Sequence, residues 1–310
     1  IFLACNAKVK PLLLLPILLL LVPNNISTFS TTTALMVQGN VPELGLDFNS
    51  RAKEVFSNHV IETKKALTDK DQVDFIVWPE NAVDVDPYTN ADVFAQLEAF
   101  EQPLIIGAIV RKDGKLLNTS ILWGDATQKI YVKQHLTPFG EYIPLRSIAS
   151  KISPLVDRVN DFSPGDQGKV FDIGAARIAP IICFELLDDQ ILYAAAKSSN
   201  LFVVQTNSAT FGKSPESAQQ LSITRIRSIE HARYSVSVST VGISAIIDTN
   251  GIVLKSTKEN IAASINGAVA LNATRTIYDR VGEFAWVLVL LIGLGFGAGL
   301  GYAARMGKRR

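Results

Sequence analysis

Three apolar runs each end on or beside a side chain able to do chemistry. "VDFIVWPE" delivers Glu80, "KIYVKQH" delivers Lys133, and "RIAPIICFE" delivers Cys183. A cysteine becomes a nucleophile only as thiolate and so needs a base. Glu80 can take the proton if burial raises its pKa. An acyl transfer also needs positive charge where the carbonyl oxygen becomes an anion, a role that suits Lys133. Taken singly, each residue has a plainer reading. A cysteine closing an apolar run usually packs as a small apolar residue, Glu80 can head a helix, and Lys133 can be a solvated charge at a strand end. His135 lies two residues beyond Lys133, on the same face of a continuing strand, and offers a Cys–His pair; Glu80 ranks ahead of it as the base.

The elements that must position these residues alternate in type. "ALMVQGN" (34–40), "VDFIVWPE" (73–80), "ARIAPIICFE" (176–185) and "NLFVVQTNS" (200–208) read as strands, and "KIYVKQHLTPFGEYIP" (129–144) as a strand running into a Pro/Gly loop. Residues 48–67, 186–199 and 216–234 show helical periodicity, the last as an amphipathic helix. Two hairpins turn at Asp113-Gly114 and Asn250-Gly251. Strands alternating with helices predict an α/β fold with helix-covered sheets, where ligand sites gather at the carboxyl ends of strands.

Composition excludes other chemistries. The 310 residues carry a formal charge of +1, so no global field favours nucleic acid. Cys5 and Cys183 are too few for a disulfide framework, and His59, His135 and His231 are scattered. There is no H-E-x-x-H, paired C-x-x-C, Walker loop or strand-linked G-x-G-x-x-G. Neither a metal nor another cofactor is expected.

Hydrophobicity is concentrated at the ends. "PLLLLPILLLLVP" (11–23) and the uncharged run 284–304 are the expected membrane helices. Lys8 and Lys10 precede the first run, and Arg305, Lys308, Arg309 and Arg310 follow the second, which places both ends in the cytoplasm and the middle on the far face. Gly293, Gly295, Gly297, Gly299 and Gly301 suit close helix packing in lipid. The expectation is a chain that continues a larger membrane domain, with residues 1–34 a helix and linker, 35–280 the catalytic domain, and 281–310 a last helix with a basic tail.

Glu, Lys and Cys in this order resemble the nitrilase superfamily. The segments "VQGNVP" (37–42), "VWPENA" (77–82), "YVKQHLTPFGEYIPL" (131–145), "IICFE" (181–185), "TNSATFG" (206–212) and "RIRSIEHAR" (225–233) are similar to its apolipoprotein N-acyltransferase family. That resemblance implies a nitrilase-like αββα sandwich flanked by transmembrane helices, in a bacterial cytoplasmic membrane with the catalytic domain on the extracytoplasmic face. It implies Cys183 as nucleophile, Glu80 as general base and Lys133 as oxyanion stabiliser, with Glu141 and Glu185 as supporting carboxylates that keep Lys133 charged and oriented. It implies a monomer using a membrane phospholipid as acyl donor and a diacylglyceryl apolipoprotein as acceptor. The rival readings are a membrane-tethered amidase and a non-catalytic membrane-binding protein on the same scaffold. Phe184, where relatives often have Tyr, and Thr210 in "NSATFG" are departures that bear on acyl-chain access.

Overall fold

The computed structural model describes residues 30–41, 53–67, 72–124, 128–151, 156, 160–212, 214–281, 287, 289–297 and 299. The apolar run 11–23, the basic flanks at both ends and the loop 42–52 lie outside them. The chain divides into two units, Ser27–Ala273 and a second made of the terminal segments.

The first unit holds two six-stranded sheets. One runs in the order β12-β1-β2-β3-β4-β5 and the other β11-β10-β9-β8-β7-β6. The first comprises β1 (Ser30–Gln38), β2 (Phe75–Val77), β3 (Leu104–Lys112), β4 (Lys115–Trp123), β5 (Lys129–Val132) and β12 (Ala263–Leu271). The second comprises β6 (Phe171–Ile173), β7 (Ala176–Ile182), β8 (Leu201–Thr206), β9 (Ser235–Ser239), β10 (Ala245–Ile247) and β11 (Val253–Ser256). Helices α1 (Glu54–Ala66), α2 (Ala91–Glu98), α3 (Arg146–Ala149), α4 (Asp189–Ser198) and α5 (Glu216–His231) lie between strands, and α6 (Ile277–Val281) belongs to the second unit.

Period-two side-chain alternation sorts the central strands into layers. Ala34, Met36, Phe75 and Val77 meet Ile178, Ile182, Leu201 and Val203 between the sheets. Leu35, Val37, Ile76 and Trp78 face the other way, with Phe56 and Val60 of α1 and Val93 and Leu97 of α2. Ala179, Ile181, Phe202 and Val204 pack with Leu192 and Ala196 of α4. Strands covered on both faces must be apolar throughout, which is why "ALMV", "FIVW" and "LFVV" read as unbroken runs. The layers form the expected αββα sandwich. Among the described residues no helix is long and apolar enough to cross a membrane; residues 289–297 are helical, with Val289, Leu291 and Leu294 more than 60% exposed.

Both hairpin turns are where the sequence places them. Asp113 and Gly114 have φ of 52° and 74° between paired Lys112 and Lys115, the doubly left-handed turn that matches strand twist. Helix α5 departs from expectation in its facing. Ile226 and Ile229 are half exposed, whereas Ser217, Thr224, Arg227, Ser228 and His231 are buried. The buried face is polar because it braces polar backbone: Arg227 Nε donates to the Leu186 carbonyl at 2.8 Å, and Ser228 and Ser235 share a 2.7 Å hydrogen bond.

His59 fixes the turn after β1. Its Nε2 accepts from Gly39 N at 3.1 Å, which leaves Nδ1 to donate to the Val55 carbonyl at 2.7 Å. Burial drives its pKa from 6.5 down to about 4, against that second bond. The folded protein therefore excludes a proton that the unfolded chain takes up below pH 6.5. Unfolding free energy is expected to fall by about 3 kcal/mol between pH 6.5 and 4 from this group. Denaturation midpoints of wild type and His59→Gln across that range check it: the wild type should lose stability more steeply than the variant.

Candidate active site

The parallel strands β1, β2 and β3, with β5 running the same way, send their carboxyl ends to one edge of the first sheet; β7, β8 and β9 do the same in the second. Glu80, Lys133 and Cys183 follow β2, β5 and β7. Left-handed backbone concentrates on these connections, at Asn40, Asn81, Phe139 and Cys183. A non-glycine residue there costs roughly 1–2 kcal/mol, and such strain gathers where geometry has a purpose.

Lys133 is 1% exposed, not a solvated charge. Its Nζ lies 3.0 Å from Glu80 Oε1 and 2.8 Å from Glu141 Oε2, and donates to Thr137 Oγ1 at 3.3 Å. Burial by itself would lower its pKa, but Glu80, then Cys183 and Glu141, outweigh that and hold it well above the usual lysine value. It is a fixed cation. Asn118 Nδ2, from β4, bridges the same two carboxylates at 2.8 and 2.6 Å. Lys133 and Asn118 thus divide four short contacts between Glu80 and Glu141.

The Glu80 loop is held from three sides. Gln205 Nε2 donates to the Trp78 carbonyl at 2.7 Å and Thr240 Oγ1 to the Glu80 carbonyl at 3.2 Å, both from the opposite sheet. Gly107 on β3 forms the floor: a Cβ there would lie 2.2 Å from the Pro79 carbonyl oxygen and 2.7 Å from Glu80 Cα. Only glycine lets the strand and the carboxylate's backbone approach so closely.

Cys183 leaves β7 at φ 47° and opens a short 3-10 turn, Cys183–Leu187. Gln220 Nε2 of α5 donates to its Sγ at 3.2 Å. Burial pushes the thiol well above its ordinary pKa, Glu80 pushes it further, and Lys133 pulls it back. A thiol so raised rests neutral, and it could act as a nucleophile only with a base beside it.

The two supporting carboxylates do different things. Glu141 touches Lys133 directly and also accepts from Thr137 N at 2.7 Å. Glu185 is fully buried and bonds elsewhere than to Lys133: it accepts from Ile182 N (2.7 Å), Gln134 N (2.6 Å), His135 N (3.4 Å) and Tyr131 Oη (2.6 Å). It ties the nucleophile turn to the loop carrying Lys133. Burial raises its pKa against the pull of the Tyr131, Ile182 and Gln134 donors and of the charge on Lys133. Lys133 and His135 both lie beyond the end of β5, so the expected shared strand face does not exist; His135 Nδ1 is 2.8 Å from Asp188 Oδ2. Phe184 packs edge-on against the His135 ring at 5.2 Å, a contact that needs no hydroxyl. Thr210 is exposed on the 3-10 turn Ala209–Phe211.

Asn118, Gly107 and Gln220 escape a reading of the sequence alone. Two had a signal: an asparagine within the buried strand "KLLNTSILW" must find partners, and a glycine within "LIIGAIV" marks a close backbone approach. Gln220 is one polar residue among several on α5.

The αββα sandwich gathers a strained cysteine, a buried lysine and a buried carboxylate at its strand ends, groups that together can do acyl chemistry at a thiol. The chain belongs to the carbon-nitrogen hydrolase family, whose model matches residues 36–278. It is 35% identical to the apolipoprotein N-acyltransferase of Mycolicibacterium smegmatis over 86% of this chain and 48% of that protein. It is 32% identical to that of Geobacter metallireducens over 82% and 51%. The chain spans about half the length of these curated relatives. The fold also matches a CN-hydrolase superfamily protein of Xanthomonas campestris, with TM-score 0.58, 15% identity, and 78% and 91% of the two chains covered.

Proposed function

We propose that this chain carries the catalytic domain of an apolipoprotein N-acyltransferase. The observation that carries the reading is Lys133 held between Glu80 and Glu141 at 3.0 and 2.8 Å, beside a neutral thiol on a strained turn. Glu80 takes the Sγ proton as the sulfur attacks the ester carbonyl of a membrane phospholipid. The Lys133 ammonium faces the developing oxyanion. The ester C–O bond breaks, the lysophospholipid oxygen receives the proton from Glu80, and a thioester remains on Cys183. The α-amine of a diacylglyceryl-cysteine then attacks, the C–N bond forms, and the thiolate leaves and regains a proton through Glu80. Glu141 and Asn118 hold the cation and the base in register; Glu185 sets the distance between the Cys183 turn and the Lys133 loop.

A lipid substrate is supported by the loops around the site. Phe139, Leu145, Ile148, Leu187 and Phe211 are large apolar side chains standing 47–75% exposed on the connections after β5, β7 and β8. An apolar rim of this kind suits acyl chains or a bilayer surface rather than water. The exposed leucines of residues 289–297 suit a membrane-spanning helix over 284–304 after a catalytic domain of residues 35–280, in a bacterial cytoplasmic membrane with the site on its outer face. The protein in lipid micelles, given a labelled phospholipid and a diacylated lipopeptide, is expected to place the label on the peptide's α-amine. Release of the label as free fatty acid with no labelled peptide would assign hydrolysis instead.

A further inference from the structure

One side chain, Gln220, separates Cys183 from the lining of a small cavity that the acyl-transfer steps above leave unused. Ser208, Ser214, Glu216, Ser217, Glu259 and Asn260 are among its lining residues, and it has room of about 10 Å³ for the centre of a water-sized group. That is space for one polar heavy atom and its hydrogens. Glu216 Oε2 is buried there without a hydrogen-bond partner. Hydroxyls converge on the backbone of Gly242: a Cβ at that position would lie 2.5 Å from Ser217 Oγ, 2.7 Å from Ser239 Oγ and 3.0 Å from Ser208 Oγ. A short relay leads from its lining to the sulfur: Ser208 Oγ lies 3.4 Å from Gln220 Oε1, and Gln220 Nε2 donates to Cys183 Sγ at 3.2 Å. A water-sized space with an unpaired carboxylate oxygen and surrounding hydroxyl acceptors has the chemistry of a primary ammonium, which brings three donors and one positive charge.

We propose that this cavity receives the primary ammonium of the acyl acceptor, with the Glu216 carboxylate as its anchor and as acceptor of its first proton. The proposal rests on the acyl-transfer reading and deepens it. Near neutral pH an α-amine, which titrates at about 7.7–8.0, arrives mostly protonated. To become an amide nitrogen it must shed two protons, and the thioester sulfur takes back only one. The first passes from nitrogen to Glu216, leaving a neutral amine. The amine attacks the thioester carbonyl, the C–N bond forms and the C–S bond breaks. The second proton reaches the departing sulfur through Glu80, and Glu216 releases the first to solvent. Burial lifts the Glu216 pKa to about 6, against a bond from Ser208 and with help from the charge on Glu80, so it is a stronger base than an ordinary glutamate while still ionised at neutral pH.

The test charges the intact protein with labelled phospholipid, then discharges the isolated acyl-enzyme with a diacylated lipopeptide or with hydroxylamine, which is uncharged at neutral pH. In the wild type, carboxylate and ammonium together make the reactive state, so discharge by lipopeptide is expected to be flat between about pH 6 and 8. In Glu216→Gln it is expected to drop at least about tenfold at pH 6.5 and to climb about tenfold per pH unit up to the amine's own pKa. Hydroxylamine discharge of the isolated acyl-enzyme keeps its wild-type rate in that variant, so the ratio of the two discharges reads the acceptor step alone. Equal slowing of both nucleophiles, or no slowing, overturns the proposal. So does a wild-type lipopeptide profile that already climbs through this range, a result that does not depend on the variant folding. A wild type that never forms the thioester removes the acyl-transfer reading and this proposal with it; normal transfer by Glu216→Gln removes only the proposal.

Discussion

Cys183→Ser is expected to lose the labelled thioester completely and to reduce acyl transfer by roughly 10⁴–10⁶-fold, the scale seen when a covalent nucleophile is removed. The reason is acidity. Burial and Glu80 already hold the thiol well above its ordinary pKa, so the base has little margin even for sulfur. A hydroxyl is a far weaker acid, and Glu80 cannot generate an alkoxide in the same place. The companion variant Cys183→Ala separates chemistry from packing. Cys183 keeps some accessible surface at the head of its turn, so alanine there should change unfolding free energy by no more than about 1 kcal/mol. A hydroxylamine-sensitive adduct in Cys183→Ser equal to wild type, or a loss of activity that merely tracks unfolding, would remove Cys183 from the mechanism.

Lys133→Met is expected to fail in two ways at once. Removing the cation that faces the oxyanion should cost about 10³-fold or more in transfer. It also leaves Glu80 and Glu141, 5% and 7% exposed, facing one another through Asn118 alone. Breaking a buried ion pair from one side destabilises by about 3–5 kcal/mol. The variant's fold then takes up a proton more readily than its unfolded chain, because two close carboxylates cannot both stay ionised. The stability deficit is therefore largest at neutral pH and shrinks as pH falls through the pair's raised pKa. Adding Glu141→Gln should restore most of the stability and none of the activity. Urea midpoints at pH 7 and 5, with transfer assays alongside, check both halves. A Lys133→Met protein as stable as wild type at pH 7 would mean that the cation is not what keeps these carboxylates buried.

These two results test what the chain itself made legible. Runs such as "FIVW" and "IAPII", apolar on both faces, required sheets covered on both sides, and their ends pointed to Glu80, Lys133 and Cys183 as neighbours. Asp113-Gly114 required its turn, because few residue pairs take two successive left-handed conformations. These are local constraints: side-chain polarity against strand period, and backbone freedom against turn type. Helix α5 marks where that reasoning stops. Its isoleucines suggest a buried apolar face, yet the buried face carries Arg227 and Ser228, because the partner is polar backbone at Leu186 and the Ser235 hydroxyl. Periodicity reports that a helix has two faces and cannot say what lies opposite each.

The same limit divides the candidate site. Residue type and order along the chain singled out a carboxylate, a cation and a thiol as the candidate set. Only the tertiary structure decided how the other carboxylates differ: Glu141 reaches Lys133, while Glu185, two residues from the nucleophile, turns to the amides of Ile182, Gln134 and His135. Only it brought Asn118 between two acids, laid Gly107 beneath Glu80, and left one oxygen of Glu216 buried and unpaired. The physical reason is range. Polarity and backbone preference act on a residue and its near neighbours in sequence, whereas a hydrogen bond or ion pair is settled within about 3 Å, between groups that the packing of two sheets brings together from opposite ends of the chain.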